Sequence, residues 1–151
     1  MIFSKSFGYA VRGILYIAMV QDAQHYVQVE EISGRLAVPK HFLGKILRKL
    51  VKENLLKSVK GPMGGFSLNE NSLAVPLMNI LEITDGIACF KTCVLKWKEC
   101  DAENPCPMHA EIEKIKIQLQ QMLMDTTIND LMKDDKHSLM HSITTSLELN
   151  Y

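Results

Sequence analysis

Three cysteines and one histidine stand within seventeen residues of one another, at Cys93, Cys100, Cys106 and His109. The segment that holds them, residues 92–109, shows no helix or strand period and has few aliphatic side chains. Thiolates and an imidazole gathered on one loop are ligands for a soft metal centre, and iron–sulfur clusters are leading candidates. Close Cys-x-x-Cys pairs, which are typical of zinc sites, do not occur among them. The spacing favours a loop around an inorganic cluster, with zinc or a metal-free loop as the alternatives.

The fourth cysteine and the other four histidines lie outside this segment. Cys89 follows an apparent helix, and we interpret it as a small buried side chain rather than a ligand. Of the histidines, His41 is a candidate for contact with DNA, and the others are interpreted as ordinary surface or core residues.

Length and composition indicate one domain, or one small domain with an appendage. The chain has 151 residues, of which 47% are hydrophobic, enough to bury a core without disulfides. The apolar run 14–20 is far too short to cross a bilayer, and no signal peptide is visible. We therefore expect a cytoplasmic protein without a membrane partner. Four cysteines in a reducing compartment indicate metal or redox chemistry.

The zero net charge conceals two halves of opposite sign. Residues 1–66 carry 10 Lys/Arg and 4 Asp/Glu, whereas residues 67–151 carry 7 Lys/Arg and 13 Asp/Glu. Such an asymmetry predicts different tasks for the two halves, unless it is ordinary surface variation.

The basic half has the pattern of a helix-turn-helix. A buried first helix is predicted from Phe7 to Val20 and a second helix from Val29 to Ala37. Pro39 suits the start of a third helix. Its apolar stripe runs from Leu43 to Val51, and its opposite face is basic. The helix-turn-helix motif consists of the second and third helices of the chain. In such motifs the latter of the two lies in the major groove of DNA, so we call the third helix the reading helix.

A β-hairpin is predicted directly after the reading helix. Residues 55–60 and 66–68 read as strands, and the glycine-rich turn 61–65 joins them. A nucleotide-binding loop would need a Gly-Lys-Ser/Thr ending, which this turn lacks. Order, spacing and charge together predict a mostly α fold, a winged helix-turn-helix with a β-hairpin wing.

A long helical pattern with a heptad seam follows the cysteine loop. The seam consists of Ile112, Ile115, Leu119 and Met122. Charged and polar residues, Lys116 among them, are expected on the other faces of this helix. The seam is interpreted as a dimer contact, although burial against the same domain would also explain it. A short helix after Thr127 and a weakly structured tail, with helix from about residue 139 to 147, complete the prediction.

Three strings of residues make the chain similar to the Rrf2 family of bacterial transcription regulators. They are Lys5–Arg12, Pro39–Leu43 and the wing string Lys60–Leu68. The cysteine segment and the helix after it complete the resemblance, which extends to about residue 134. Membership implies a homodimer that binds palindromic double-stranded operator DNA.

Within that family the chain resembles the branch that carries an iron–sulfur cluster and regulates cluster biogenesis. The resemblance implies a [2Fe–2S] cluster held by Cys93, Cys100, Cys106 and His109, with one more residue than usual in the first gap. Nitric-oxide-sensing relatives can use an Asp in the first helix, where this chain has Gly8, which cannot ligate. Lys60 replaces the arginine that is common in the wing of relatives.

These observations set the expected organisation. We predict a DNA-binding domain over 1–88, a cluster loop over 89–109, a dimerisation helix with a short helix over 110–134, and a tail over 135–151. The residues expected to bind DNA lie at the start of the first helix, on the reading helix and in the wing: Lys5, Pro39, Lys40, His41, Lys45, Arg48, Lys60, Gly61, Pro62, Gly64 and Gly65.

The predicted function is a homodimeric regulator whose operator affinity depends on a cluster that senses redox, iron or nitric oxide status. A metal-free regulator based on thiol oxidation is the main alternative, and a DNA-binding protein indifferent to its cysteines is a further one. No catalytic triad or nucleotide fingerprint supports an enzyme.

Overall fold

The computed structural model describes residues 2–21, 25–96, 98–133 and 135–144. Helices dominate it, with one antiparallel hairpin between the third and fourth helices. The helices are α1 (Lys5–Val20), α2 (Val29–Leu36), α3 (Lys40–Lys52), α4 (Leu77–Thr84), α5 (Ala88–Lys91), α6 (His109–Asp125), α7 (Ile128–Leu131) and α8 (Lys136–Thr144). The strands are β1 (Leu56–Val59) and β2 (Gly65–Leu68), and a 3₁₀ turn spans Ser72–Ala74.

Helix α1 is central to the core, because its apolar face packs against α2, α3, α4 and α8. Ala10, Ile14 and Ile17 on that face are almost completely buried. Ser4 caps the helix by accepting hydrogen bonds from the backbone N–H groups of Ser6 and Phe7. The Ser4 hydroxyl in turn donates to the carboxylate of Asp85, so the end of α4 fixes the start of α1.

The predicted helix-turn-helix is present, with boundaries within two residues of those expected. The turn between α2 and α3 begins at Ala37, whose φ of 51° lies in the left-handed region. Pro39 then occupies the N-cap position of α3. Leu43, Leu47 and Leu50 bury the inner face of α3, which leaves the basic face of the helix outside.

The predicted hairpin is also present, and a third segment extends it. Leu56 pairs with Leu68 and Val59 pairs with Gly65 in antiparallel register. Val27 forms a bridge with Phe66 through two backbone hydrogen bonds of 2.8 Å. The chain before α2 therefore holds the wing against the helix-turn-helix.

The acidic half is fixed to the same core. Helix α6 packs on α4, and a backbone bridge between Pro76 and Thr127 ties the start of α4 to the start of α7. The tail contains a helix, α8, that begins at Lys136 rather than near residue 139, and Ile143 is buried. The rest of the predicted tail, residues 145–151, lies outside the described part of the chain.

Arg12 holds α8 in place from α1. Its guanidinium donates to the carbonyl of Ile143 at 2.7 and 3.0 Å and to the carbonyl of Leu36 at 2.7 Å. One side chain thus donates to carbonyl groups at the ends of both α2 and α8, where backbone partners within the helix run out. Residues 136–144 of the predicted tail therefore form a helix that packs on the domain, where the sequence predicted weak structure.

Candidate functional site

The outer face of α3 is a continuous basic surface. His41, Lys45, Arg48, Lys49 and Lys52 are all exposed along it. Cationic side chains on one exposed helix face are suited to the phosphates and base edges of DNA. Lys5, at the first turn of α1, is also exposed.

Lys40 differs from the other predicted DNA contacts on α3. Its ammonium forms an ion pair with Glu30 on α2, so the two helices of the motif are joined at their N-terminal ends. Contact with DNA would require Lys40 to exchange this carboxylate for a phosphate. Pro39, beside it, is exposed.

An aromatic side chain that the sequence did not single out lies on the same surface. Phe42 is 46% exposed, and its ring meets that of Tyr9 edge-on with centroids 6.0 Å apart. Phe42 stands directly before Leu43, where the apolar stripe of α3 begins, and its residue type alone is that of a core residue.

Close backbone approach explains the glycines of the wing. A Cβ atom at Gly64 would lie 2.1 Å from the carbonyl oxygen of Val59, and one at Gly65 would lie 2.4 Å from that of Val27. The Gln28 side-chain amide donates to the carbonyl of Pro62 at 2.7 Å and holds the turn against α2. Lys60, Gly61 and Pro62 remain exposed at the end of the hairpin, as a DNA-contacting wing requires.

A small backbone clip closes the loop between the first two predicted ligands. Thr92 and Glu99 form an antiparallel bridge. The N–H of Cys93 donates to the carbonyl of Lys98 at 2.6 Å, and the N–H of Cys100 donates to that of Lys91 at 2.8 Å. The clip accommodates the unusually long first gap, because the described residues 94–96 lie outside the paired positions.

The three thiols gather around Cys93, which is 3% exposed. The N–H groups of Leu95 and Lys96 point at its sulfur and lower its pKa, and the thiols of Cys106 and Cys100 act in the same direction. Burial raises the pKa of the Cys100 thiol, against the opposing influence of Lys116. The structure thus brings Cys93, Cys100 and Cys106 into one cluster of sulfur atoms.

His109 follows Cys106 through a tight turn of the backbone. Its backbone N–H donates to the carbonyl of Cys106 at 3.0 Å, and His109 is the first residue of α6. As placed among the described residues, no three His, Cys, Asp or Glu side chains enclose a single metal ion.

A buried lysine, Lys116, lies beside the thiols, and the sequence alone did not predict its burial. The sequence predicts Lys116 on a face of the helix other than the apolar seam, and the structure shows that this face is buried at Lys116, which is only 9% exposed. Its Nζ donates to the carbonyl of Thr92 at 2.8 Å and lies 4.0 Å from Sγ of Cys100. A usable signal existed, because Ile112, Lys116, Leu119 and Leu123 follow one helical stripe.

The predicted dimer seam on α6 divides between two faces. Ile112 is half-buried, and Leu119 packs against the core of its own domain. Ile115 and Met122 instead point outward, with 56% and 46% of their surfaces exposed, and Met108 continues their line seven residues earlier at 43%. The outward line Met108, Ile115 and Met122 is called the α6 apolar line below.

Cys89 corrects another expectation. Its thiol is exposed rather than buried. It lies in α5, a single helical turn whose buried residue is Phe90.

The comparisons with known proteins identify the family. The family model for Rrf2, described as an iron-dependent transcriptional regulator, matches residues 3–134. The chain belongs to the Rrf2 family. This family and the relatives below are transcriptional regulators, which confirms the expected DNA-binding regulator and the expectation that the chain is not an enzyme.

Curated relatives carry the same description. A protein of Aquifex aeolicus, named as an HTH-type transcriptional regulator, is 36% identical over 140 residues, which are 91% of this chain and 96% of that one. The HTH-type transcriptional regulator IscR of Vibrio cholerae is 27% identical over 128 residues, 85% of this chain and 73% of that protein.

Solved structures share the fold. CymR of B. subtilis, the global cysteine regulator, has a TM-score of 0.71 at 19% identity and covers 88% of this chain and 98% of its own. IscR of T. potens has a TM-score of 0.66 at 21% identity, over 87% of this chain and 85% of its own. These matches confirm the predicted winged helix-turn-helix. In the described part of the chain, no helix is long and apolar enough to cross a membrane.

Proposed function

We propose that this Rrf2 protein is a homodimer that binds palindromic operator DNA, and that an iron–sulfur cluster on Cys93, Cys100, Cys106 and His109 controls its affinity. The [2Fe–2S] type follows from the resemblance to the cluster-bearing branch. One observation supports a sensor above all others. The thiols of Cys93, Cys100 and Cys106 lie close together, that of Cys93 is buried, and their loop leads directly into α6.

The basic face of α3 and the exposed end of the wing support the DNA-binding part. Each substitution removes one cation per protomer, and therefore two per dimer, so Arg48→Ala and Lys60→Ala should each weaken binding and lower the slope of its salt dependence by about two units. Lys114→Ala is the matched control, because Lys114 is exposed on α6, away from α3 and the wing. Titrations of genomic fragments at several salt concentrations measure both quantities. Equal losses in all three variants would contradict this interface.

The α6 apolar line supports the dimer. Ile115 and Met122 expose apolar surface on the longest helix of the described chain, and a second copy would cover it in a two-fold contact. Two reading helices in such a dimer meet successive major grooves about 34 Å apart.

The donor set fits a soft iron centre. Three thiols and an imidazole match the ligands of iron–sulfur proteins, and the N–H groups around Cys93 favour its thiolate form. When bound, the group supplies a redox-active centre that responds to the chemistry of its surroundings.

The chain's own contacts supply the coupling to DNA. The clip at Thr92 and the turn at Cys106 lead into the N-terminal end of α6. Helix α6 packs on α4, and α4 packs on α1 and α3. A cluster held by Cys93, Cys100, Cys106 and His109 would restrain the loop, and through it the position of α6 and the spacing of the two reading helices.

Anaerobic preparation tests the proposal. The purified chain should contain iron and sulfide in equal amounts and show a visible absorption spectrum, and its affinity for genomic fragments should change when the cluster is removed. His109→Ala should shift the spectrum while retaining some cluster. His137→Ala, an exposed histidine on α8, is the control and should leave the spectrum unchanged. Colourless protein after careful reconstitution would refute cluster binding.

A metal-free thiol regulator is the second candidate. The thiols of Cys93 and Cys106 are neighbours, so an oxidant such as hydrogen peroxide could accept two electrons and two protons from them as a disulfide forms. The structural neighbours include an oxidized form of CymR from Staphylococcus aureus. Iron and sulfide analysis, followed by disulfide mapping of the peroxide-treated chain, separates the two candidates.

A further inference from the structure

Lys116 is a buried cation without a carboxylate partner in the described part of the chain. Its Nζ has one strong hydrogen bond, to the carbonyl of Thr92 at 2.8 Å, although an ammonium has three protons to donate. The next neighbour is Sγ of Cys100, at 4.0 Å. The polar neighbours of the Lys116 ammonium are therefore one backbone carbonyl and one thiol of the cysteine cluster.

A buried ammonium needs a negative partner. Removing a charge from water is costly unless an opposite charge or several hydrogen bonds compensate. The sulfur atoms are the groups beside Lys116 that can become anionic, and they do so when they bind a metal. The position of Lys116 thus points to a negatively charged centre held by the thiols.

We propose that Lys116 is a positioning residue for the cluster, which offsets its negative charge and ties the clip at Thr92 to α6. This inference rests on the proposed function and extends it. Three thiolates with a [2Fe–2S] core of charge +2 and a neutral imidazole carry a net charge of −1. Addition of one electron makes it −2, so a nearby cation stabilises the reduced state more than the oxidised one.

The hydrogen bond to Thr92 gives Lys116 a second role, which is to stabilise the clip. Thr92 is one residue before Cys93 and belongs to the clip, whereas Lys116 lies two turns into α6. The hydrogen bond between them joins the loop to the helix across 24 residues of sequence. Loss of this bond should loosen the clip even in the metal-free chain.

The reduction potential tests the electrostatic part. Lys116→Met keeps most of the length and removes the charge, and the loaded full-length protein is titrated anaerobically with dithionite and mediator dyes. At the potential where the wild type is half reduced, the variant should show about a tenfold lower ratio of reduced to oxidised cluster, or ~59 mV for one electron. Lys116→Arg should retain most of the wild-type value. Lys114→Met, an exposed lysine on the same helix, should not change it.

Amide hydrogen exchange of the metal-free chain tests whether the hydrogen bond between Lys116 and Thr92 stabilises the clip. The N–H groups of Cys93 and Cys100 close the clip, and their exchange should be several-fold faster in Lys116→Met than in the wild type. Should Lys116→Met not fold, Lys116→Gln gives the same comparison with a neutral amide.

The outcomes are distinguishable. Wild-type protein that takes up no iron and sulfide would refute the proposed sensor and, with it, the electrostatic role of Lys116. A wild type that loads normally, with an unchanged potential in Lys116→Met, would refute the electrostatic role alone. Unchanged amide exchange rates at Cys93 and Cys100 in Lys116→Met would refute the role of Lys116 in stabilising the clip.

Discussion

Replacement of Gly64 by alanine tests how the wing is built. The added Cβ atom would lie 2.1 Å from the carbonyl oxygen of Val59, 2.8 Å from its carbonyl carbon and 2.9 Å from that of Lys60. All three atoms belong to the backbone of the opposite strand and its turn, so no side chain can rotate to relieve the clash. To reach 3.0 Å from the oxygen, the hairpin must open by at least 0.9 Å.

The magnitude follows from that displacement. Overpacking of this kind costs about 1–3 kcal/mol, and a loss of ~2 kcal/mol lowers the melting temperature of a chain of this size by about 4–8 °C. Lys60 and Gly61 directly follow Val59 and move with it. If each wing loses about 1 kcal/mol of contact with DNA, a dimer loses ~2 kcal/mol, or roughly thirtyfold in affinity.

Gly34→Ala is the matched control. Position 34 is exposed within α2, and nothing lies within 4 Å of a Cβ added there. The same chemical change should stabilise this variant by about 0.5–1 kcal/mol, since alanine favours the helix over glycine. Thermal unfolding and anisotropy titrations on a bound genomic fragment measure both variants. Wild-type stability and affinity in Gly64→Ala would refute the described wing geometry.

Two further predictions concern the dimer and the response to acid. Ile115→Glu should raise the dimer dissociation constant by about two orders of magnitude in sedimentation experiments, because like charges would meet at a two-fold contact. Ile117 lies on another face of α6 and is 55% exposed, so Ile117→Glu should leave the dimer dissociation constant unchanged. An equal rise in both variants would exclude the α6 apolar line as the dimer contact. Hydrogen bonds from Lys133 and Thr127 hold the pKa of Asp130 below its ordinary value of 3.8. The stability that Asp130 adds over Asp130→Asn, measured by urea unfolding, should be constant above pH ~4 and decline as the pH falls further. A difference that persists unchanged down to pH 2 would contradict this coupling.

The sequence by itself determined the elements whose signals are local. Apolar periodicity located α1 and α3, and the glycine turn located the wing, because these patterns depend on residues only a few positions apart. The four predicted ligands followed from residue type and spacing. The heptad seam was only partly informative, because an apolar stripe on a helix does not reveal whether it faces its own domain or a partner.

Tertiary structure decided the environment of each group. The burial of Lys116 depends on Thr92, 24 residues away, and the order of α8 depends on Arg12, 131 residues from Ile143. Cys89 was expected inside and lies outside, because exposure is set by how α5 meets the rest of the chain. Spacing predicts which side chains can share a site. The packing of distant segments fixes their neighbours, and therefore their charge and chemistry.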